Sequence, residues 1–277
     1  MPTITATSGS KWTDETLQFF RVKLQTKHNF QDFFGVDTGD ISFNDATQEF
    51  LQLDLPKVLF QEVIDLSGIK FKIVRMLVLD IIAVLRTNQA QEAAVDNMAR
   101  MMFFLFDYDD IGLTIRSQEV LNLEMSNKVT KATPDICIEQ LNGSKILVVQ
   151  EDKSYLYGLQ SSSAIVIPQL VAEMIAAFQT NLRRLQDLGR IDEINEQQML
   201  GIVMIGSSPT FYRMNVTPQL SDCIKFGHRP EFETVIWQYV IPNRPSTSVN
   251  AILYKASALH IAECYEALKH LISKPTI

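Results

Sequence analysis

The strongest constraint on the fold is a predicted β-hairpin near the middle of the chain. Two short apolar runs, 135–140 and 146–150, flank Asn142-Gly143, a pair that favours tight turns between antiparallel strands. The spacing of apolar residues then predicts a long helix over about 168–188. Strands mixed with long helices are typical of α/β or α+β domains, so we expect a mixed sheet covered by helices.

Similar patterns run through the rest of the chain. They predict further helices over 68–86, 89–106 and 250–272, and further strands over 120–125, 199–205, 211–216 and 234–240. β-like runs begin only near residue 119. We therefore predict a mainly helical N-terminal extension over 1–85 and a main domain over 86–277.

The charge balance restricts the possible partners. The 277 residues include 25 Lys and Arg and 32 Asp and Glu, a formal net charge of −7. This argues against a general nucleic-acid coat or a protein held on anionic membranes by bulk charge, but it leaves room for a small basic groove. The most apolar stretch, 69–85, contains Lys70, Lys72, Arg75 and Asp80. It therefore indicates a buried helix rather than a membrane span.

The cysteines indicate a reducing environment. The chain has three widely spaced cysteines, Cys137, Cys223 and Cys264. Their odd number and wide spacing are typical neither of a disulfide framework nor of a zinc site. Residues 1–10 are polar and lack the apolar run of a secretory signal. We expect no membrane association and a cytoplasmic or nuclear location.

The register of the predicted hairpin decides which polar side chains meet. A two-residue turn places Asp135 opposite Gln150, whereas a three-residue loop, or a bulge of the same effect, places Asp135 opposite Glu151. Side chains alternate along a strand, so Glu151 and Lys153 project to one side and Asp152 to the other. We predict the second register.

In that register, Asp135 and Glu151 form a candidate metal site. Two neighbouring carboxylates repel each other unless a cation lies between them, and hard oxygen ligands suit Mg²⁺ or Mn²⁺. Lys153 beside the cation can orient or deprotonate a water and offset the charge of a phosphate. The pattern indicates metal-assisted attack of water on a phosphodiester.

Pro-Asp at 134–135, followed by Glu-Asp-Lys at 151–153, resembles the motif of the PD-(D/E)XK nuclease superfamily, which has the restriction-endonuclease-like fold. The predicted helix before the motif, the hairpin that carries it and the helix after it agree with this resemblance. The resemblance covers roughly residues 90–240, and the amino-acid sequence around the motif looks most like uncharacterised fungal members of the superfamily.

The resemblance implies a metal-dependent nuclease that acts on DNA or RNA. Asp135 and Glu151 would ligate Mg²⁺ or Mn²⁺, together with the carbonyl of Asp152. Lys153 would position or activate the attacking water, and Gln169 would support the site from the following helix.

Many members of the family add an acidic residue from the helix before the motif. Glu92 is the best match for that ligand, and Asp96 is the second. At position 173 a glutamate replaces the aromatic residue of the exonuclease branch. We interpret Glu173, Arg183 and Arg184 as parts of a solvated helix face.

Other interpretations of the same residues are open. Asp after Pro is common in turns, and 151–153 has the composition of a solvated strand end. The domain would then be a catalytically silent interaction module, and its acidic surface and Phe-rich N-terminal segment favour a protein partner. A homodimer is also open. Metal-dependent hydrolysis of a substrate other than nucleic acid is a further alternative.

Overall fold

The computed structural model describes residues 4–59, 64–86, 92–110, 112–141, 145–154, 166–190, 196–242 and 250–273. These residues form nine α-helices and nine β-strands. The helices are α1 Asp14–Phe19, α2 Phe30–Phe34, α3 Asp45–Gln52, α4 Leu55–Leu59, α5 Lys72–Arg86, α6 Glu92–Leu105, α7 Val166–Asp187, α8 Pro218–Phe226 and α9 Lys255–Ser273. The strands are β1 Val22–Lys27, β2 Leu113–Ser117, β3 Leu121–Met125, β4 Lys128–Ala132, β5 Ile136–Gln140, β6 Ile146–Lys153, β7 Gln197–Ile205, β8 Ser208–Val216 and β9 Thr234–Tyr239.

A mixed sheet of seven strands organises the molecule. Its order is β1-β9-β8-β7-β6-β5-β2, and β3 and β4 form a separate antiparallel pair. β2, β5 and β6 are antiparallel neighbours, whereas β6 and β7 are parallel. Because parallel neighbours need a crossover, α7 connects β6 to β7 across one face of the sheet. The predicted α/β class is confirmed.

Each face of the sheet packs into its own apolar core. Along the central strands, Val148 and Ile202 belong to the core shared with α5, α6 and α9. Val149 and Val203 belong to the core shared with α7. A strand buried on both faces loses the apolar–polar alternation of a half-exposed strand, and β6 is such a strand. Within the described residues, none of the helices combines the length and apolar character needed to cross a bilayer.

The long predicted elements are confirmed, with boundary shifts. The helix predicted over 250–272 consists of a short 3-10 turn at Ala251–Leu253 followed by α9. Sequence patterns missed β1, β2 and β4, because β1 and β2 are sheet edges, β4 pairs only with β3, and all three carry exposed residues that obscure alternation.

The described residues before position 86 contain α1 to α4 and most of α5, and they also contribute a strand to the central sheet. β1 pairs in parallel with β9, with Val22 opposite Thr234. The predicted boundary at residue 85 therefore has no counterpart in the sheet, whose edge strand comes from the N-terminal part.

One buried asparagine fixes α7 against the start of β6. Asn181 Oδ1 accepts a hydrogen bond from the backbone amide of Ile146 (2.7 Å), and its Nδ2 donates to the Ile146 carbonyl (2.7 Å). Nδ2 also donates to Oε1 of Gln197 on β7 (3.0 Å). Asn181 is fully buried. Its amide thus joins the crossover helix to both parallel strands.

We expect Asn181→Ala to lower the free energy of unfolding by about 2–4 kcal/mol, because the buried amide of Ile146 loses its acceptor and Gln197 loses its donor. Chemical denaturation measures this loss. Gln186→Ala, at an exposed position of the same helix, is the matched control and should stay within about 0.5 kcal/mol of the parent. Equal effects of the two substitutions would contradict the role of Asn181.

Candidate functional site

A β-bulge sets the register of the hairpin that carries the candidate site. Near the turn, Glu139 pairs with Ile146, the register of a two-residue turn. Further along, Ile136 pairs with Gln150, so the register has shifted by one residue between Ile138 and Glu139. This is the bulge alternative of the predicted register, and it is confirmed. The turn residues 142–144 lie outside the described residues.

Continuing the Ile136–Gln150 register places Asp135 opposite Glu151. Asp135 itself precedes β5, and its backbone amide donates to the carbonyl of Gln150 (3.0 Å). The backbone amide of Asp152 in turn donates to Oδ2 of Asp135 (2.7 Å). These two hydrogen bonds hold the Asp135 carboxylate at the carboxyl end of β6.

Three aspartates converge at this end of β6. They are Asp96 from α6, Asp135 and Asp152, and each offers a carboxylate oxygen within 4.8 Å of the others. Asp152 is fully buried. Among the described residues, Oδ2 of Asp152 and Oδ1 of Asp96 have no hydrogen-bond partner. Hard divalent cations such as Mg²⁺ and Mn²⁺ prefer oxygen ligands of this kind.

The position of the Asp152 side chain corrects the sequence analysis. Strand alternation predicts that this side chain turns away from Asp135, so that only its carbonyl is available as a ligand. The carboxylate of Asp152 instead lies beside that of Asp135. The reason is that Asp135 lies outside β5, where the strand pleat no longer sets the direction of its side chain.

The two acidic candidates on α6 have different surroundings. Asp96, the second match, lies with Asp135 and Asp152. Glu92, the first match, is exposed, and its Oε1 accepts a hydrogen bond from Nζ of Lys153 (2.9 Å). The geometry therefore does not support Glu92 over Asp96 as a ligand. One helical turn separates the two residues, and only the carboxylate of Asp96 lies beside those of Asp135 and Asp152.

Lys153 is held by three acceptors. Its Nζ donates to Glu92, to the carbonyl of Asp152 (3.0 Å) and, through a short contact, to Oε1 of Glu151. Burial lowers the pKa of Lys153, but the charges and hydrogen bonds of Glu151 and Glu92 more than offset it and raise the pKa above its ordinary value. The neighbouring carboxyl groups therefore favour the protonated amine, which acts as a hydrogen-bond donor.

A second carboxyl group lies against Glu151 from α7. Glu173 is fully buried and in hydrogen-bonding contact with Glu151. Its Oε1 accepts a hydrogen bond from Nε2 of Gln169 (3.1 Å). Gln169 thus supports the site from the helix, although through Glu173 rather than directly. In the described part of the chain, Oε2 of Glu151 and Oε2 of Glu173 find no nitrogen or hydroxyl donor.

The interpretation of Glu173 as part of a solvated helix face is wrong. Helix α7 lies between the sheet and the β3–β4 pair, so it is covered on both sides. Glu173 faces Glu151 of β6 on the sheet side, whereas Gln179 is hydrogen-bonded to the backbone of Glu124 in β3. The helical pattern alone does not show which polar residues are covered.

Burial raises the pKa of the acidic side chains throughout the site. Desolvation, with the charge of Asp135 as the next cause, raises the pKa of Glu151 to about 7 and that of Asp96 to about 6. Desolvation also raises the pKa of Asp135, Asp152 and Glu173. Full ionisation of this cluster needs more positive charge than Lys153 supplies, and a divalent cation would supply it.

The arginines of α7 are ion-paired rather than simply solvated. Nη1 of Arg183 lies 3.2 Å from Oε1 of Glu124, and Nη1 of Arg184 lies 3.1 Å from Oε2 of Glu139. Both pairs connect the end of the helix to neighbouring strands. Their charge is therefore partly compensated within the molecule.

We expect the metal-free protein to lose stability as the pH rises from about 4.5 to 7. The folded-state pKa of Glu151 is about 7, against an ordinary 4.5. Between these two pKa values the folded state therefore binds more protons than the unfolded state. The stabilisation that this proton binding gives to the folded state is lost as the pH rises through the folded-state pKa. A loss of about 2 kcal/mol would lower Tm by roughly 4–8 °C.

Thermal denaturation in EDTA across pH 4.5–8 measures this fall. Glu151→Gln should flatten the profile, and Glu15→Gln, at an exposed position of α1, should leave it as in the parent. Mn²⁺ should restore the Tm at pH 7.5 in the parent. Identical profiles for the parent and Glu151→Gln would refute the explanation.

Comparison with known proteins assigns no family to the chain. No protein-family model and no curated protein matches it. A function must therefore be argued from the residues of the site and their geometry.

Proposed function

We propose that this protein is a metal-dependent nuclease that hydrolyses phosphodiester bonds of DNA or RNA. The observation that carries the proposal is the group of Asp96, Asp135 and Asp152 beside a permanently charged Lys153. Three oxygen ligands with a cationic donor next to them suit a divalent metal ion and a phosphate at the same time.

The order of elements supports the proposal. Helix α6 precedes the β5–β6 hairpin, with strands β2 to β4 between them, and helix α7 follows the hairpin. The resemblance to PD-(D/E)XK nucleases implies a helix before and a helix after such a hairpin. The parallel strand β7 then lies beside β6. The residues of the motif lie at one end of this unit, where β6 ends and β5 begins.

The unpartnered oxygens argue for a metal ion rather than a purely structural cluster. Oδ2 of Asp152 is buried and lacks a hydrogen-bond donor among the residues that the structure describes. An unsatisfied buried carboxylate costs stability, on the order of 1–3 kcal/mol or more. Asp96, Asp135 and Asp152 would hold Mg²⁺ or Mn²⁺, with Glu151 as a further oxygen donor nearby.

A divalent cation at these residues would acidify a bound water and neutralise charge on a phosphate. The chain's own residues would do the rest. Lys153 stays protonated, so it serves as a hydrogen-bond donor that orients the water or a phosphate oxygen. Glu92 and Glu151 hold its Nζ in place. Gln169 and Glu173 fix Glu151 from the helix side.

The cysteines support a location where nucleic acids occur. Cys137, Cys223 and Cys264 are all free thiols. Free thiols are typical of the reducing cytoplasm and nucleus. We propose one of these two compartments.

The ion pairs of Arg183 and Arg184 favour a second candidate function, an interaction module without catalysis. If their charge is committed to Glu124 and Glu139, little basic surface is left on α7 for a phosphate backbone. A protein partner would then bind the acidic surface, and the aspartates would not need a metal ion. Metal binding separates the two functions.

We expect Asp135→Asn and Lys153→Met to reduce metal-dependent cleavage about 100-fold or more. Both variants keep side-chain volume, and the amide oxygen introduced by Asp135→Asn could still accept the hydrogen bond from the Asp152 backbone. The assay uses labelled single- and double-stranded DNA and RNA with Mg²⁺, Mn²⁺ or EDTA. Asp187→Asn and Lys131→Met, both at exposed positions, are the matched controls.

Cleavage that needs the metal and disappears only in the site variants would establish the nuclease. Cleavage unchanged in Asp135→Asn would disprove it. No cleavage, and no rise of Tm with Mn²⁺, would favour the interaction module. No cleavage but a clear rise of Tm would retain the metal site and exclude these substrates.

A further inference from the structure

Gln150 connects two of the three aspartates. Its backbone carbonyl accepts a hydrogen bond from the amide of Asp135 (3.0 Å). Its side-chain Nε2 donates to Oδ1 of Asp152 (2.7 Å). Gln150 is fully buried and lies two residues before Asp152, so both side chains project from the same face of β6.

The hydrogen bond from Gln150 fixes the orientation of the Asp152 carboxylate. With Oδ1 held by the amide, the group cannot rotate freely, and Oδ2 remains without a donor among the described residues. When Asp152 is ionised, as a metal ligand must be, the amide donates through Nε2, because a reversed amide would place its oxygen against a carboxylate oxygen. The side chain of Gln150 therefore leaves Oδ2 free for a ligand beside Asp96 and Asp135.

A glutamine at position 150 lowers the stability of the folded state. Its Oε1 is buried and has no partner within the described ranges. A buried amide oxygen without a hydrogen bond costs about 1–3 kcal/mol. The same face of β6 carries Val148 in the apolar core. An apolar side chain would fit this environment, so packing alone does not account for a glutamine.

We propose that Gln150 is a positioning residue that sets the metal affinity of the site by orienting Asp152. The inference rests on the proposed metal site but not on the identity of the substrate. Partners that orient metal-binding side chains typically contribute 10–100-fold in metal affinity. Gln150 supports the ion through Asp152 and does not contact it.

The test is the dissociation constant of Mn²⁺, measured by calorimetry on the full chain without nucleic acid. Gln150→Met keeps the length of the side chain and removes its hydrogen bond. We expect this variant to bind Mn²⁺ about 10–100-fold more weakly than the parent. Gln150→Asn keeps the amide but withdraws it from Asp152, and it should weaken binding similarly if the methionine variant does not fold.

The matched control is Gln197→Met. Gln197 is also a buried glutamine in a central strand, and it is hydrogen-bonded to Asn181 and to the carbonyl of Ile146, away from the aspartates. It should change Tm but leave the Mn²⁺ affinity within about twofold of the parent.

The outcomes separate this inference from the proposed function. If the parent and both Gln150 variants bind Mn²⁺ equally, Gln150 does not position Asp152, and the nuclease proposal stands. If Gln197→Met weakens binding as much as Gln150→Met, the effect is general destabilisation, and the inference fails. If the parent itself does not bind Mn²⁺, the metal site and the role of Gln150 are both refuted.

Discussion

Burial of negative charge at the carboxyl end of β6 is the constraint on which the candidate site depends. Strand β6 is covered on both faces, so its last residues carry their charges into the interior. The side chain of Asp152 lies on the face of β6 that packs against α6 and α9, and the side chain of Glu151 lies on the face that packs against α7. Asp96 and Asp135 lie beside Asp152. Glu173 and Lys153 contact Glu151, and the charge of Asp135 also raises the pKa of Glu151.

Lys153 is the main positive charge in the described part of this cluster, and its partners explain why it stays charged. Burial alone would favour a neutral amine, but Glu92 and Glu151 stabilise the ammonium form. The charge of the lysine also acts to lower the pKa of Asp96 and Asp135. One ammonium group does not balance Glu151 and three aspartates, and a divalent ion would supply further positive charge.

The architecture makes this burial possible. The parallel pairing of β6 and β7 requires a crossover, and α7 provides it while Asn181 fixes the helix to both strands. Because α7 packs on β6 and β7, Glu173 faces Glu151, and β3 and β4 cover the other side of the helix. The same packing that holds the sheet together therefore delivers Gln169 and Glu173 to the site.

Much of the candidate site could be predicted from sequence, and the failures have a common cause. The hairpin, the carboxylates at 135 and 151 and the lysine at 153 follow from turn chemistry and strand periodicity. Asp96 was named only as the second candidate after Glu92, Glu173 was interpreted as solvated, and Gln150 was missed, because each role depends on which element packs on which. A buried amide or carboxylate has the same local sequence pattern as a solvated one.

The sequence by itself determined the mixed α/β class, the positions of the long elements and the hairpin that carries Asp135 and Glu151. These properties depend on local periodicity and turn propensities, which neighbouring residues encode. Only the tertiary structure decided that the Asp152 carboxylate joins Asp96 and Asp135, that Glu173 is buried and that β1 completes the sheet. These depend on long-range packing, where a bulge, a crossover and a covering hairpin set the direction of each side chain.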